Sequence, residues 1–327
     1  MARLNHAGEF TISEFKLMSS SGNVLDLSLA YVTLSLFEDI FSSAMSGIVV
    51  VTDTNNILMN LPVTGQEYIS LKITTPGLED FPIDYTDTVF SVTKIDSRIA
   101  ADETLIFQLH FVSPELLRNE RVRISKSYKS TISNMVYDAL NSAKYINTNK
   151  DVFIEETSGI RKIIAPNVNP YNFITSLATE ALSKKYRSPH FLFFENTKGI
   201  HFKSLESILL SNAIGIFSVS DIAPLDKQSQ SVNIQKDFEK VLEFQIDSNN
   251  DMLMNIKGGM LGSKNIQYNI YNKSYKTTEY KYFDDFDRYP RLNGNATYND
   301  NQIDVEGNTI GDFSDARIHL HSISSQD

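Results

Sequence analysis

The sequence contains no cysteine. This absence excludes disulfide bonds, thiolate catalysis and cysteine-based zinc sites, and it is compatible with assembly in a reducing cytoplasm. No segment approaches the roughly 18 apolar residues of a membrane-spanning helix, and the opening MARLNHAGEF lacks the apolar core of a signal peptide. We therefore expect a chain that is soluble and cytoplasmic when it is made.

Basic residues are also in the minority, since 30 Lys and Arg stand against 40 Asp and Glu and the net charge is -10. A protein that holds nucleic acid by its phosphates needs a basic face, so this balance disfavours that class. A channel lined by Asp and Glu is compatible with it, because DNA would pass along such a wall without adhering.

Motifs of common catalytic sites are missing as well. The sequence has no P-loop, no Gly-x-Gly-x-x-Gly and no Gly-x-Ser-x-Gly. We predict a protein that is not an enzyme, with no catalytic residue, no cofactor and no bound metal. A glycan hydrolase stays open as an alternative, because such enzymes need only two well-placed carboxylates.

Four polar patterns are the candidates for chemistry. Residues 247–251 (DSNND) and 300–304 (DNQID) begin like calcium loops but lack the glycine and the glutamate that such loops require. The acidic run of Asp284, Asp285 and Asp287 is read as a solvated turn or, in the hydrolase alternative, as catalytic. The pair His319-x-His321 is read as part of an exposed tail rather than as a metal site.

Residues 1–115 are predicted to form a β-barrel or sandwich. Val32, Leu34 and Leu36 alternate with polar residues, which is the period of a half-buried strand. Further strands are predicted at 48–51, where both faces would be covered, and at 69–73, 89–95 and 105–111. Short strands at regular spacing with turn residues between them favour this fold class.

Residues 116–225 are predicted to form a smaller α+β domain. Helices are expected at 130–143, capped by Ser130 or Thr131, and at 171–186, capped by Asn169. A hairpin is expected at 190–203. A basic cluster is read either as a solvated face or as a contact with an acidic neighbouring subunit; its members are Arg118, Arg121, Arg123, Lys126 and Lys129.

Residues 226–327 are predicted to hold strands at 238–246 and 266–275. After Tyr289 the chain is polar, and we expect it to be loop-like. With 327 residues, 41% hydrophobic content, 20 Phe and 15 Tyr, two or three domains with real cores are expected.

Several phrases stand in a fixed order along the chain. They are GEF and FKL (8–17), LFEDIF (36–41), SGIVVVTD (46–53), LPVTGQE (61–67), ISKSY (124–128) and GGMLGSK (258–264). In this order they resemble the baseplate hub proteins of contractile-tailed bacteriophages of the T-even-like and cyanophage-like type. The phrases are packing and turn patterns rather than reactive sites.

The resemblance implies a strand-rich α+β protein with tube-type β-barrel domains and an inserted smaller α+β domain. Residues 1–115 correspond to the first barrel, 116–225 to the α+β domain, and 226–327 to the start of a second barrel followed by a polar segment. In this family two barrels per subunit let a homotrimer present a pseudo-sixfold ring, so that a threefold spike can join a sixfold tube.

The implied function is a structural hub subunit. The implied partners are further copies of the chain, the central spike protein, the tail tube proteins and the tape measure protein, with genome DNA passing through the channel and no insertion into a membrane. The implied location is the tail baseplate of the virion, after assembly in the host cytoplasm. Alternatives from other classes are a tail-associated cell-wall hydrolase and a host-receptor-binding tail protein.

Overall fold

The computed structural model describes residues 9–19, 22–53, 64–75, 82–101, 104–213, 215–219, 240–241, 245, 250–289, 291, 295–301 and 305–323. The chain divides into two compact units, Met1–Val241 and Leu242–Asp327. The first unit contains two hydrophobic cores, one inside a large sheet and one between helices and smaller sheets. The predicted boundaries near residues 115 and 225 stay predictions.

Seven antiparallel strands form one curled sheet with the shape of half a barrel. The order across the sheet is β2-β1-β5-β6-β7-β4-β3. The strands are β1 (Thr11–Met18), β2 (Val24–Asp26), β3 (Tyr31–Phe37), β4 (Ser46–Asp53), β5 (Tyr68–Thr74), β6 (Ile83–Ala101) and β7 (Thr104–Val112). Together with the helices below, this sheet confirms the predicted strand-rich α+β class.

Sequence alternation predicts the buried face of this sheet correctly. Phe107, Leu109 and Phe111 on β7 are fully buried in its core. Ile48 and Val50 on β4 are only half-buried, so the prediction that both faces of this strand are covered is wrong. The pattern is that of an antiparallel sheet with its core on one face.

Strand β6 is longer than the predicted 89–95. It runs over 19 residues because its first half pairs with β5 and its second half with β7, with register shifts in both ladders. Such bulges bend a strand and increase its twist, which curls the sheet.

The phrase LPVTGQE is described from Thr64 onward and is a turn held by a buried carboxylate. Glu67 accepts the backbone N–H groups of Thr64 and Gly65, each at 2.8 Å. Gly65 has φ 95°, a conformation that glycine adopts without strain. The turn leads directly into β5, which explains why these residue types occur here.

The second core lies among short helices and two small sheets. The helices are α1 (Pro114–Arg121), α2 (Ile132–Asn141), α3 (Pro170–Glu180) and α4 (Leu205–Leu209). One sheet pairs β8 (Ile124–Ser130) with β10 (Arg161–Val168), and the other has the order β11-β12-β9, from Phe191–Asn196, Gly199–Ser204 and Val152–Ile154. Strands β13 (Ser218–Val219) and β14 (Lys240–Val241) form a short parallel pair, and the rest of the predicted strand 238–246 lies outside the described residues, apart from Gln245.

The two predicted helices are present, but their caps differ from the prediction. The side chains of Thr131 and Asn169 make no capping bond. Instead, Thr157 Oγ1 accepts the N–H of Ser133 in α2 at 2.9 Å, and Asn119 Oδ1 accepts the N–H of Tyr171 in α3 at 2.8 Å. Side chains that are distant in sequence thus satisfy the free amides that every helix start exposes.

Helix α3 ends at Glu180, so the prediction of a helix to residue 186 is wrong. Lys184, beyond the end of this helix, pairs with Glu156 at 2.7 Å on the surface. Helix α1 was not predicted, because its residues were interpreted only as part of the basic cluster.

The predicted hairpin is confirmed as β11 and β12 with a turn at Thr197-Lys198. Gly199 follows this turn with φ 138°, and a Cβ there would lie 2.2 Å from the backbone oxygen of Asp151. Only glycine permits this close approach, which lets β9 pair in parallel with β12.

The second unit contains a three-stranded sheet of order β16-β15-β17. Its elements are α5 (Met252–Gly258), β15 (Gly262–Asn269), β16 (Ser274–Lys281), α6 (Tyr282–Asp285) and β17 (Ile318–Ile323). The single strand predicted at 266–275 is wrong, because a turn at 270–273 divides it into β15 and β16. The described residues after Tyr289 are mostly irregular as expected, but β17 pairs in parallel with β15.

Among the helices of the described residues, none is long and apolar enough to cross a membrane.

Gly47 in the phrase SGIVVVTD is predicted to be irreplaceable. A Cβ there would lie 2.3 Å from the ring of Phe111 and 2.8 Å from the backbone oxygen of Ser35, so strands β7 and β3 would both have to move. Gly47→Ala should lower the free energy of unfolding by about 1–3 kcal/mol, as overpacking does. Urea unfolding measures this, with Gly258→Ala as control because a Cβ there meets nothing within 4 Å; equal stability of both variants would contradict the assignment.

Candidate assembly surface

The edge strand β3 has no charged residue along its length. Its sequence is YVTLSLF, and within the described residues it is hydrogen-bonded in the sheet to β4 alone. Val32 is 56% exposed and Phe37 is 49% exposed. Natural proteins usually protect a free strand edge with charges, proline or a covering segment, so an uncharged edge of this kind is suited to pairing with another chain.

An apolar groove of about 480 Å³ runs beside this edge. Val32, Leu34 and Leu36 on β3 form one wall, and Ile12 on β1 and Ile73 on β5 form another. Within the described residues, the groove lies at the open side of the half barrel, because β6, β7 and β4 separate β3 from β5 and β1 in the sheet. We call β3 and this groove the open edge.

The phrase LFEDIF continues the apolar surface beyond the open edge. Ile40 and Phe41 are exposed, the latter by 79%. Asp39 accepts the backbone N–H of Phe41 at 2.8 Å, which orders the loop that presents the ring. Large apolar side chains held outward in an ordered loop are characteristic of protein interfaces.

The sheet of the second unit also presents an apolar face. Tyr268 on β15 and Tyr275 on β16 are directly opposite each other, and both are exposed. Ile318 and Leu320 on the neighbouring strand β17 are exposed on the same face. Within the described part of this unit, Leu261 and Tyr282 are the buried apolar side chains, so most of the apolar surface of this sheet is uncovered.

A buried charged cluster lies at the junction of the two cores of the first unit. Lys150 Nζ lies 2.7 Å from Glu115 on α1 and 2.6 Å from Glu195 on β11. The Glu195 side chain is 1% exposed and that of Lys150 is 7% exposed. Burial raises the pKa of Glu195, and the charge of Lys150 and the hydroxyl of Ser113 oppose that rise. We call Glu115, Lys150 and Glu195 the junction cluster.

The junction cluster brings together two carboxylates, but its chemistry is that of an ion pair. A glycosidase needs one carboxyl group free to give a proton and another free to attack or to activate water. Here Lys150 holds Glu115 and Glu195 together, and Thr148 and Ser113 donate further hydrogen bonds to them. All these contacts occupy the oxygens that a reaction would use.

The predicted basic cluster is divided by the structure into two groups. Arg118 donates to the backbone oxygens of Ala143 and Tyr145 at 2.8 and 2.6 Å, so it fixes α1 within the core. Lys126 pairs with an aspartate of α2 at 2.9 Å. Arg121, Arg123 and Lys129 are exposed, and their contact with an acidic neighbour stays a prediction.

The acidic run at 284–287 forms local ion pairs. Asp285 is buried and accepts from the backbone N–H of Lys281 and from Arg288 at 3.2 and 2.6 Å. Asp287 pairs with Arg291 at 2.7 Å, and Asp284 is exposed. The structure therefore places no two of these carboxylates facing each other across a groove, as the hydrolase alternative requires.

The two calcium-like patterns fall only partly within the described residues. Asp251 caps α5 by accepting the N–H of Met254 at 3.0 Å; Asp247 and Asn249 lie outside the described residues. Asp300 is described, whereas Gln302 and Asp304 are not. An aspartate before a helix is a standard capping residue, so the first pattern has a structural explanation.

His319 and His321 are side by side on β17. Their ring centroids are 6.2 Å apart with planes 8° from parallel, so the rings stack and do not converge on one point. Across the described residues, no group of three or more His, Asp or Glu side chains is arranged to hold a metal ion.

The open edge is partly evident from the sequence, and the junction cluster was missed. The uncharged run 31–37 was recognised as a strand but not as an edge. Glu195 ends the run FLFFE and lies on the same face of β11 as Phe191 and Phe193. An acidic residue on an otherwise apolar strand face indicates a buried charge, and this signal was present in the sequence. Its partner Lys150 comes from a distant loop, which only the fold reveals.

No protein-family model matches the chain, and no curated protein matches it either. Among solved structures, the chain is similar to prophage tail protein gp18 from Listeria monocytogenes, with 10% identity, 95% of this chain and 73% of that chain covered, and a TM-score of 0.47. It is similar to a tail protein from Neisseria meningitidis, with 9% identity, 96% and 72% covered, and a TM-score of 0.47.

A third similar structure is the 43 kDa tail protein of prophage MuSo2 from Shewanella oneidensis, with 9% identity and a TM-score of 0.44. That match covers 64% of this chain and 57% of the prophage protein, so the chain spans little more than half of its length. Likenesses at this level establish neither an activity nor a partner.

One buried histidine makes the first unit sensitive to acid. His201 is 6% exposed and is stacked between the rings of Phe153 and Phe194 at 4.8 and 4.9 Å. Burial, followed by the charges of Lys203 and Lys198, lowers the pKa of His201 from 6.5 to about 4. The unfolded chain therefore binds this proton first as the pH falls, and stability is lost between pH 6.5 and about 4.

His201→Phe should remove this part of the acid sensitivity, because a phenyl ring keeps the stack and does not titrate. Between pH 7.5 and 4.5 the wild type should lose about 2–3 kcal/mol more free energy of unfolding than the variant. Urea unfolding at both pH values measures the difference. Equal losses in the two proteins would show that His201 is not buried in its neutral form.

Proposed function

We propose that the protein is a structural subunit of the baseplate hub of a contractile phage tail. The observation that carries this proposal is the open edge, where an uncharged strand and an apolar groove interrupt an otherwise continuous curled sheet. A half barrel of this kind buries its apolar surface fully only when another chain adds to it.

The residues that carry the resemblance to hub proteins support the same reading. Gly47 permits close packing of β4 on β7, and Glu67 fastens the turn before β5. Tyr128 in ISKSY is buried and donates to Asp138 of α2 at 2.8 Å. The phrase LFEDIF exposes Phe37, Ile40 and Phe41. These are packing, turn and surface roles, as expected for an assembly protein.

The two edges of the large sheet favour a ring of copies. Strand β3 has seven residues without charge, whereas β2 at the opposite edge has three residues that include Asp26. A contact that β3 makes with a different surface of the next copy is heterologous, and heterologous contacts form a ring when the rotation between copies closes. A homotrimer is the ring that the hub assignment requires.

The proposed partners are the central spike protein, the tail tube proteins and the tape measure protein, besides further copies of the chain. The proposed location is the tail baseplate of the virion, reached after assembly in the host cytoplasm. Genome DNA would pass through the ring without specific binding, since the net charge of -10 favours a wall that repels phosphate. No step of this role requires catalysis.

Val32→Lys should weaken self-association without unfolding the subunit. The residue is more than half exposed in the isolated chain, but its replacement would place an ammonium group in the apolar groove of an assembled ring. We expect at least a tenfold loss of trimer affinity, which corresponds to about 1.4 kcal/mol. Mass photometry over a concentration series measures it, and circular dichroism checks the fold.

The matched control is Ile160→Lys, which changes an exposed isoleucine away from the open edge. It should leave the trimer intact. A wild-type protein that stays monomeric at every concentration, or that forms only dimers, would contradict the hub proposal. A Val32→Lys variant that assembles like the wild type would remove the open edge from the interface.

A further inference from the structure

The junction cluster connects chain segments where the two cores of the first unit meet. Glu195 belongs to the hairpin of the second core, yet it accepts the N–H of Met45 at 3.1 Å and the hydroxyl of Ser113 at 2.8 Å. Met45 immediately precedes β4, and Ser113 immediately follows β7. The carboxylate therefore holds the ends of two neighbouring strands of the large sheet.

The chain changes cores at this same place. Ala44 packs in the second core and the adjacent Met45 packs in the first. Glu115, in the first turn of α1, completes the cluster through Lys150 and accepts the hydroxyl of Thr148 at 2.8 Å. Four separate chain segments thus meet at three buried charges.

Buried charges of this kind are poor sources of stability. Their desolvation offsets most of their attraction, and apolar replacements of similar volume are often neutral or stabilising. They do require a defined geometry, because a small displacement leaves a charge unpaired in an apolar interior. The three groups bonded to Glu195 are all donors, so a displacement of its carboxylate would leave them without their acceptor.

We propose that the junction cluster is a positioning lock that fixes the large sheet in one orientation on the second core. Without it, apolar packing and a few remaining polar contacts, such as the N–H that Thr197 donates to Glu38 at 2.6 Å, hold the two together, and several orientations become close in energy. The lock itself does not depend on the proposed function; only its consequence, that the open edge is presented to other copies at one angle, rests on the hub proposal.

Single-molecule fluorescence energy transfer tests the lock on the full chain. Since the sequence has no cysteine, Lys94→Cys on β6 and Tyr137→Cys on α2 give two unique labelling sites, both exposed. The variant Glu115→Gln/Lys150→Met/Glu195→Gln removes the three charges and keeps polar groups for the donors. We expect it to fold but to show a broader or shifted distance distribution than the wild type.

The matched control is Glu156→Gln/Lys184→Met, which removes an exposed ion pair with the same 2.7 Å separation. It should leave the distribution unchanged. A charge-free junction variant that folds with the wild-type distribution would overturn the proposal. Lys150→Met alone leaves two buried carboxylates unpaired and should lower the melting temperature by roughly 10 °C.

A second measurement decides the matter if the triple variant does not fold. In the wild type, the lock requires the amide of Met45 to exchange its hydrogen only through global unfolding, like the amide of Leu109 in the sheet core. Exchange of Met45 through a smaller local opening would overturn the lock. Single-molecule experiments use protein concentrations far below those at which the chain would assemble. An unchanged distance distribution in the triple variant therefore contradicts the lock, whereas failure to form a trimer contradicts the hub proposal.

Discussion

An uncharged free strand at the side of a half-closed sheet is the constraint on which the rest of this protein depends. Strand β3 has one neighbour within the described sheet, and its other side borders an apolar groove between Leu34 and Ile73. A soluble chain that leaves such an edge open associates through it, either specifically or by aggregation. The exposed Phe41 and Ile40 follow β3 and extend the apolar surface. The open edge and this loop together are the proposed assembly surface.

The second core gives this edge a rigid base. Helix α1 is fastened by Arg118 to the loop after α2 and by Asn119 to the first turn of α3. The junction cluster then joins this core to β4 and β7, the strands that lead to the edge. Polar contacts between distant segments thus control orientation, while apolar burial supplies most of the stability.

Much of this architecture is readable from the sequence. Alternation at 105–111 and the glycine after Thr197-Lys198 are local signals, and both predicted elements are present. The caps from Thr157 and Asn119, and the pairing of Lys150 with Glu195, involve residues up to 52 positions apart and have no local signal. Strand β17 was missed because the short segment IHLHSI stands at the end of a long polar region, and it forms a strand here by pairing with β15.

The site was harder to predict than the fold, for a physical reason. A catalytic motif places reactive groups at fixed spacing, whereas an interface is made of ordinary apolar residues whose meaning depends on exposure. Val32 and Val49 are both valines in predicted strands, yet one is exposed at the edge and the other is fully buried. Only the strand order distinguishes them.

Hydrogen exchange along β3 tests the central claim most directly. In dilute protein, the amides of residues 31–37 that point away from β4 should exchange rapidly, and at concentrations where the protein assembles they should become protected while β2 at the opposite edge changes less. Protection confined to other regions, with β3 still exchanging rapidly in the assembled protein, would contradict the account.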